Sequence, residues 1–430
     1  MISVMLVGHL GELALSSVSI ALSFAEVTGF GFLLGVGTAL ETFCGQAYGA
    51  RQYHMLGVYM QRAMLVIMLI GLPISLVWAS AARLLTLCGQ DSEISTQAGI
   101  FARWLIPTIF PYGLVQCQLA FLQSQNNVKP MTISIVVTSL VHVLMCWTLV
   151  FLVGLGHKGA ALSFAISYWF NVIVLAIYIK FSPACDKTWT GFSRGSYNDI
   201  CGYLSVAIPS ALMLCLERWS YELLVFLSGL LPNPKLAASV TAISLDTSSL
   251  VFGISTGFGS VVSTRVSNEL GAGQPAAAKH AVKVVIFLAL TEGSIVSLIA
   301  ILFRHEWGYF YTNEKEVVNC MASIMPLLAV SNFMDGIQAV LSGIARGCGW
   351  QKVGAFVNLG AYYLVGLPSA IVLTFVFHFG VKGLWMGIMI GSGLQALVYL
   401  AITLRTNWEK QAGKAQERVY ASSIATDSAT

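Results

Sequence analysis

Seven carboxylates of this chain fall inside long apolar segments, where an acidic side chain is costly and usually functional. They are Glu26, Glu41, Glu217, Glu222, Asp246, Glu292 and Asp335. At about 1.5 Å per helical residue, Glu217 lies roughly 25 Å from the start of its segment. Asp246 and Asp335 lie roughly 15 Å and 22 Å from the opposite face. Because burial disfavours the charged form of a carboxyl, such a group can bind and release a proton as the surrounding pH changes.

The depth of these acids within their apolar segments ranks them as candidates for a proton site. Glu217 and Asp335 are predicted to couple to protons, and a structural hydrogen bond to Ser, Thr or Arg is the alternative. Asp246 precedes Thr247-Ser248-Ser249, so a structural role is equally favoured there. Glu41 lies near the end of its segment, ten residues before Arg51, which favours a gate or a surface ion pair. Asp246 and Glu41 are therefore secondary candidates for a proton or substrate site.

Aromatic residues flank the two main acids and could form the wall of a substrate cleft. They are Trp219, Tyr221, Phe333 and Tyr362. Aromatic faces attract planar and cationic ligands. Ordinary packing or anchoring at the membrane interface is the alternative for each ring.

The elements that carry these residues are predicted to be transmembrane helices. The 430 residues are 57% hydrophobic and only 10% charged, whereas soluble domains carry about 25% charged residues. Eleven apolar runs are long enough to cross a bilayer. They cover 14–42, 56–82, 98–122, 131–153, 159–181, 200–231, 236–265, 281–303, 320–344, 353–377 and 383–404. The expected class is an all-α polytopic membrane protein.

An internal repeat organises these segments. Gly35-Val-Gly37 and the loop up to Gln52 match Gly257-Phe-Gly259 and the loop up to Gln274 without a gap, at an offset of 222 (257 − 35). Such a duplication predicts two six-helix halves in the same orientation. Residue 1 then corresponds to the interior of the seventh span, so the first helix is expected to be incomplete.

The expected domains are an N-terminal lobe at 1–181, a connector at 182–199, a C-terminal lobe at 200–405 and a disordered tail at 406–430. Fifteen of the 23 Lys and Arg residues fall on one side of the predicted membrane, seven on the other, and Arg218 within a span. The positive-inside rule then places both termini and the connector in the cytoplasm.

Several motifs resemble those of the multidrug and toxic compound extrusion (MATE) family, in particular its plant branch. They are GQAYGA at 45–50, LPNP at 231–234, STRVSNELGAG at 263–273 and SGIARGCGWQKVGAFVNLGAYY at 342–363. The resemblance implies twelve helices in two parallel lobes around a central cleft, acting by alternating access. It implies export of organic solutes, such as xenobiotics, flavonoids, alkaloids or organic cations, in exchange for protons. It also places the family's coupling acids on Glu217 and Asp335.

The same resemblance implies a monomer in the vacuolar or plasma membrane, with a small organic substrate and protons as partners. No cofactor, metal or nucleic acid is expected, since the nine cysteines show no metal-ligand spacing. No catalytic constellation stands out, which argues against a membrane enzyme. A lipid or lipid-linked flippase of a related superfamily is the alternative function, although such a protein would favour several cations within its spans.

Overall fold

The computed structural model describes residues 2–312 and 314–427, and within these residues the fold is entirely helical. We number the fourteen principal helices of this part of the chain α1 to α14. The first seven are α1 (Ile2–Gly8), α2 (Glu12–Gly49), α3 (Tyr53–Ala79), α4 (Ala81–Leu87), α5 (Ser92–Ser124), α6 (Val128–Leu152) and α7 (His157–Phe181). The others are α8 (Ile200–Ser228), α9 (Pro234–Gly271), α10 (Pro275–Leu302), α11 (Lys315–Cys348), α12 (Gln351–Val376), α13 (Val381–Arg405) and α14 (Trp408–Asp427).

The predicted membrane architecture is confirmed. Ten of the helices in the described residues are long and apolar enough to cross a membrane. The eleventh expected span corresponds to α9, which has 38 residues. It is less apolar than the others because Ser, Thr and Gly make up much of its sequence. The helix α1 is short, with seven residues.

The chain forms two compact units. Unit 1 comprises the residues up to Ala211 together with those from Val419 onward, and unit 2 comprises Leu212–Arg418. The boundary lies inside α8 and not in the connector, because the beginning of α8 packs on unit 1. The Tyr203 hydroxyl donates a hydrogen bond to the carbonyl oxygen of Val36 at 2.8 Å. A Cβ on Gly35 would lie 2.4 Å from the Cα of Ala211, so only glycine permits this approach.

The repeat extends well beyond the matching sequence. In unit 1, α6 ends in a π-helical turn over Thr148–Leu152, and in unit 2, α12 ends in the same kind of turn over Val372–Val376, at an offset of 224 (372 − 148). The next helix in each unit begins after a glycine of the same backbone conformation. Gly156 has φ 57° and ψ −137°, and Gly380 has φ 58° and ψ −138°. Only glycine adopts this conformation readily, and the offset is again 224 (380 − 156).

The connector packs on the surface of unit 1. It contains 3₁₀ turns at Pro183–Cys185 and Arg194–Tyr197. The Gln61 side chain of α3 donates to the carbonyl of Gly191 at 2.8 Å and accepts from the backbone N–H of Ser193 at 2.9 Å. These bonds fix the connector to α3.

The expected disordered tail is wrong for the described residues. The segment Trp408–Asp427 is helix α14. Its buried apolar residues recur every three or four positions, which is the spacing of one helical face. They are Trp408, Ala412, Ala415 and Val419. Burial of this face stabilises a segment whose composition is otherwise polar.

Candidate functional site

The two acids ranked first by depth lie close together in unit 2. Glu217 is on α8 and Asp335 is on α11, and the side chains are only 7% and 5% exposed. They are near enough for the charge of one to act on the other. Because both positions are deep in spanning helices, their ionisation states depend on the groups immediately around them.

Two amide side chains lie beside Glu217. Gln338 of α11 donates a hydrogen bond from Nε2 to the Glu217 Oε2 atom at 3.0 Å. The amide of Gln395 of α13 also faces this carboxyl. The surroundings of the Glu217 carboxyl thus bring together three helices of unit 2.

The amide network continues to a fourth helix. The Gln395 Nε2 atom donates to Asn358 Oδ1 of α12 at 2.7 Å, and the Tyr399 hydroxyl donates to the same oxygen at 3.1 Å. Asn358 in turn donates to the main-chain carbonyl of Met213 at 2.6 Å. Met213 lies one helical turn before Glu217 on α8, so the network returns to the helix from which it started.

Asp335 is surrounded by hydroxyl groups. Ser331, one turn earlier on α11, donates to Asp335 Oδ2 at 3.4 Å. The hydroxyls of Tyr221 and Ser392 also face the carboxyl. Within the described residues, the Asp335 Oδ1 atom accepts no hydrogen bond of regular geometry, although it is buried.

These partners suit a carboxyl that changes its protonation state. Hydroxyl and amide groups can donate to a carboxylate and can also accept from a carboxylic acid. Positive charge acts on Glu217 from Arg218 and Arg346, but the hydrogen bonds to the two carboxyls given above come from neutral groups. Neutral donors of this kind leave both protonation states available, whereas a bidentate arginine partner would fix the ionised one.

Glycine and a π-helical turn allow the four helices to meet. A Cβ on Gly354 of α12 would lie 2.5 Å from the Met213 sulfur and 2.9 Å from the Tyr399 hydroxyl oxygen. Directly after Asn358, α12 changes to a π-helix over Leu359–Gly366. Such turns are frequent at functional sites because they alter the direction of side chains. Here the turn carries Tyr362, which is fully buried.

The aromatic candidates separate into two groups. Tyr221 and Tyr362 lie beside the carboxyl pair, with ring centroids 6.4 Å apart. Phe333 packs instead against α10, where a Cβ on Gly293 would lie 2.8 Å from its ring. Trp219 is partly buried on α8. The structure therefore brings two of the four predicted aromatic residues to the carboxyls.

The secondary acids are not part of this cluster. Asp246 is exposed on α9. Glu41 is buried on α2, in unit 1. Their assignment to a proton or substrate site stays a prediction, without support from the contacts of the carboxyl pair.

Sequence reasoning missed the polar residues that surround the acids. They are Gln338, Asn358, Ser392, Gln395 and Tyr399. A usable signal was present, since each lies inside a predicted apolar span. Searching the spans for amides as well as acids would have found Gln338, Asn358 and Gln395.

A comparison with protein families gives the context of this site. The model of the family described as MatE matches residues 1–148 and 209–372, which is most of the chain. The chain belongs to the MatE family. Members of the family are transporters, as predicted, and not enzymes. The chain is thus a multidrug and toxic compound efflux transporter that is integral to a membrane.

Similar proteins include several from Arabidopsis thaliana. The chain is 55% identical to Protein DETOXIFICATION 16 over 426 residues, which cover 99% of the chain and 88% of that relative. It is 52% identical to Protein DETOXIFICATION 15, with 98% and 87% covered. These similarities confirm the predicted resemblance to plant MATE proteins.

Solved structures show the same fold. The crystal structure of the eukaryotic MATE transporter AtDTX14 matches with a TM-score of 0.93 and 47% identity, covering 97% of this chain and 93% of that one. A variant of the Vibrio cholerae MATE transporter VcmN matches with a TM-score of 0.84 and 17% identity, covering 95% and 93%. The second likeness concerns the fold alone, and together they agree with the predicted twelve-helix architecture.

Proposed function

We propose that this MATE transporter exports organic solutes from the cytosol in exchange for protons, acting as a monomer by alternating access. The observation that carries the proposal is the pair of buried carboxyls, Glu217 and Asp335, held by neutral partners. A carboxyl binds a proton through a single covalent bond, so the pair can take up this coupling ion without assembling a set of ligands.

The coupling follows from electrostatics. Two nearby carboxylates repel each other when both are ionised, so the pair retains a proton. The pair exchanges this proton with the more acidic side of the membrane. Loss of the proton leaves buried negative charge, which favours a different packing of the surrounding helices and attracts a cationic substrate. Each tenfold difference in proton affinity between two conformations couples about 1.4 kcal/mol to the proton gradient.

The substrate class follows from the same surroundings. Tyr221 and Tyr362 place aromatic surface beside the carboxyls, and aromatic surface with nearby negative charge suits planar organic cations. We therefore place organic cations and alkaloids first among the substrates, ahead of flavonoids and other xenobiotics.

For orientation, we propose cytoplasmic termini and a cytoplasmic connector, in either the vacuolar or the plasma membrane. Labelling of a Lys187→Cys variant from the cytoplasmic side checks this topology, because Lys187 is exposed. Cys185 is a poor reporter. It is buried, and burial with the nearby charge of Asp186 raises the pKa of its thiol to about 11.

The decisive experiment measures efflux of a fluorescent organic cation from proteoliposomes with an imposed pH gradient. Glu217→Gln and Asp335→Asn should each abolish or strongly reduce pH-driven efflux, because an amide cannot take up the proton. Glu41→Gln and Glu26→Gln are matched controls in unit 1. Glu41→Gln should have a smaller effect, and Glu26→Gln a smaller one still.

Expression and thermal unfolding of each variant separate loss of transport from loss of fold. The proposal is wrong if both unit 2 variants keep wild-type efflux with wild-type pH dependence. It is equally wrong if transport continues without a pH gradient or membrane potential and stops when ATP is removed.

A further inference from the structure

A third carboxyl of unit 2 lies against a different face of α11 from the site described above. Glu292 is in the middle of α10 and is partly buried. Its Oε2 atom accepts a hydrogen bond from the Ser255 hydroxyl of α9 at 3.3 Å. Its Oε1 atom is buried and has no hydrogen-bond partner within the described residues.

Two glycines create the space for this side chain. A Cβ on Gly293 would lie 2.8 Å from the Phe333 ring, so α10 and α11 approach closely at this depth. A Cβ on Gly336 of α11 would lie 3.1 Å from the Ser255 hydroxyl oxygen and 3.6 Å from Glu292 Oε2. The backbone of α11 thus forms one wall of the site, and larger residues would crowd the Ser255–Glu292 pair.

The site is distinct from the carboxyl pair. Asp335 and Gly336 are adjacent on α11, and consecutive helical residues point about 100° apart. Asp335 faces hydroxyls of α8 and α13, whereas Gly336 faces α9 and α10. Asp335 therefore projects from one face of α11, and Glu292 of α10 lies against another face of the same helix.

The charges around Glu292 do not fix its ionised form. On α11 the nearest titratable residue in sequence is Asp335, which would itself be negative. On α9 it is Asp246, nine residues before Ser255 (255 − 246), and on α10 it is Lys283, nine residues before Glu292 (292 − 283). Nine helical residues correspond to about 13 Å. A charged side chain at mid-span is costly when no opposite charge lies close to it.

The hydroxyl partner of Glu292 suits both protonation states of the carboxyl. The Ser255 hydroxyl can donate to a carboxylate or accept from a carboxylic acid, as the hydroxyls around Asp335 can. The Oε1 atom is the natural position for a proton, because protonation removes a negative charge that no cation offsets within the part of the chain that the structure describes.

We propose that Glu292, with Ser255, is a second proton-binding site of this transporter. The inference adds to the proposed function: if the chain moves protons, Glu292 takes up one in addition to those of Glu217 and Asp335. Movement of α9 and α10 against α11 would change the contact with Ser255 and hence the affinity for that proton.

The test is an infrared pH titration of the carboxyl C=O stretch, on full-length protein in lipid. The variants are Glu217→Gln/Asp335→Asn and the same protein with Glu292→Gln added. We expect the first variant to retain a titrating carboxyl band that the second one loses. Ser255→Ala should shift the midpoint of this band, and Ser255→Thr, which keeps the hydroxyl, should restore it.

The outcome does not depend on transport, so it is separable from the proposed function. Identical titrations of the two variants over the whole pH range would overturn the inference. A Glu292→Asp variant, which keeps a carboxyl at this position, should retain the band. Its retention would show that the loss in the Glu292→Gln variant is not caused by misfolding. If wild-type efflux proved independent of pH while the Glu292 band still titrated, the proposed function would fail and the proton site would stand.

Discussion

The two units share a scaffold but use buried charge in opposite ways. In unit 2, the carboxyls of Glu217 and Asp335 are held by amides and hydroxyls. In unit 1, the most deeply buried charged side chain of the described residues is that of Arg62 of α3, and its partner is the carboxylate of Asp199 at 3.8 Å. One arrangement accommodates a change of protonation, and the other pairs a permanent positive charge with an acidic side chain.

The surroundings of Arg62 explain a structural role. Its guanidinium donates to the carbonyl of Gly195 at 3.3 Å and lies over the Tyr59 ring, 5.4 Å from the centroid. Gly195 and Asp199 belong to the connector, so the arginine fixes this segment to α3. A permanently charged group with fixed acceptors stabilises one arrangement and cannot respond to pH.

The repeat makes this contrast testable at matched positions. Gly37 of unit 1 packs on Gln116, and its counterpart Gly259 of unit 2 packs on Ala339, so the offset between α5 and α11 is 223 (339 − 116). Asp335 then corresponds to Tyr112 (335 − 223) and Gln338 to Val115 (338 − 223). The acid and its amide partner are thus present in unit 2 and replaced in unit 1. The duplicated fold supplies the frame, and a few residues of unit 2 supply the carboxyl site that we propose for coupling.

The largest effect is expected from removing this amide in unit 2. Gln338→Ala deletes the donor to Glu217, and a hydrogen bond to a charged group contributes about 1.5–3 kcal/mol. Efflux should fall roughly tenfold or more, since about 1.4 kcal/mol is a factor of ten. The pH optimum should move upward, because loss of a donor to the carboxylate favours its protonation.

Gln116→Ala is the control in unit 1, since it removes a glutamine amide from α5 whose side chain packs against Gly37. Efflux assays over a range of pH should show its optimum unchanged. Equal shifts in the two variants would mean that the units do not differ in the way proposed here.

The sequence predicted the acids of the site better than their surroundings, and the reason is energetic. An acid in an apolar span is costly enough to be conspicuous, so Glu217 and Asp335 stood out. Amides and hydroxyls are cheaper, and which of them meet an acid depends on helix packing. Asn358 and Gln395, 37 residues apart, bond to each other only because α12 and α13 pack side by side.

Two other expectations depend on helix geometry. Phe333 was grouped with the acids because it is two residues from Asp335, but two helical residues turn the side chain through about 200°. Its ring lies against α10, and its place in a substrate cleft stays a prediction. The tail was expected to be disordered because it is polar, yet Trp408, Ala412, Ala415 and Val419 form one helical face. Three of these four residues are small or only weakly apolar, so the sequence gives a weak signal for a buried helical face. The packing of the helix makes that face evident.

A smaller effect, and on stability instead of coupling, is expected in unit 1. Asp199→Asn removes the partner of a guanidinium that is only 1% exposed. Loss of one partner from a fully buried ion pair costs about 3–5 kcal/mol. Asp199 itself is 36% exposed, so we expect a loss of about 1–2 kcal/mol.

Thermal unfolding in detergent measures this change, and efflux at matched amounts of folded protein should keep the wild-type pH optimum. Asp199→Glu, which retains the charge, is the control. A shifted pH optimum with unchanged stability would contradict the division between a structural charge in unit 1 and a coupling charge in unit 2.

The smallest contrast between the units is expected at a feature that they share. In unit 1, Trp78 donates from its indole N–H to the Thr28 hydroxyl at 3.0 Å, and in unit 2, Trp307 donates to the Thr247 hydroxyl at 2.9 Å. Each threonine also donates to the carbonyl one turn earlier in its own helix. The two Trp–Thr hydrogen bonds are chemically the same, but Trp78 is fully buried and Trp307 is only partly buried.

Burial therefore decides the size of the effect. Thr28→Val should destabilise the protein by about 1–3 kcal/mol, since the N–H of Trp78 is left without an acceptor in a site that excludes water. Thr247→Val should cost less, about 0.5–1.5 kcal/mol, because Trp307 can turn its N–H toward its exposed side. Thermal unfolding of both variants, with Thr28→Ser and Thr247→Ser as hydroxyl-retaining controls, measures the difference. A larger loss of stability for Thr247→Val would show that Thr247 contributes to unit 2 by more than its hydrogen bond to Trp307. The functional contrast between the units would then extend to this shared part of the scaffold.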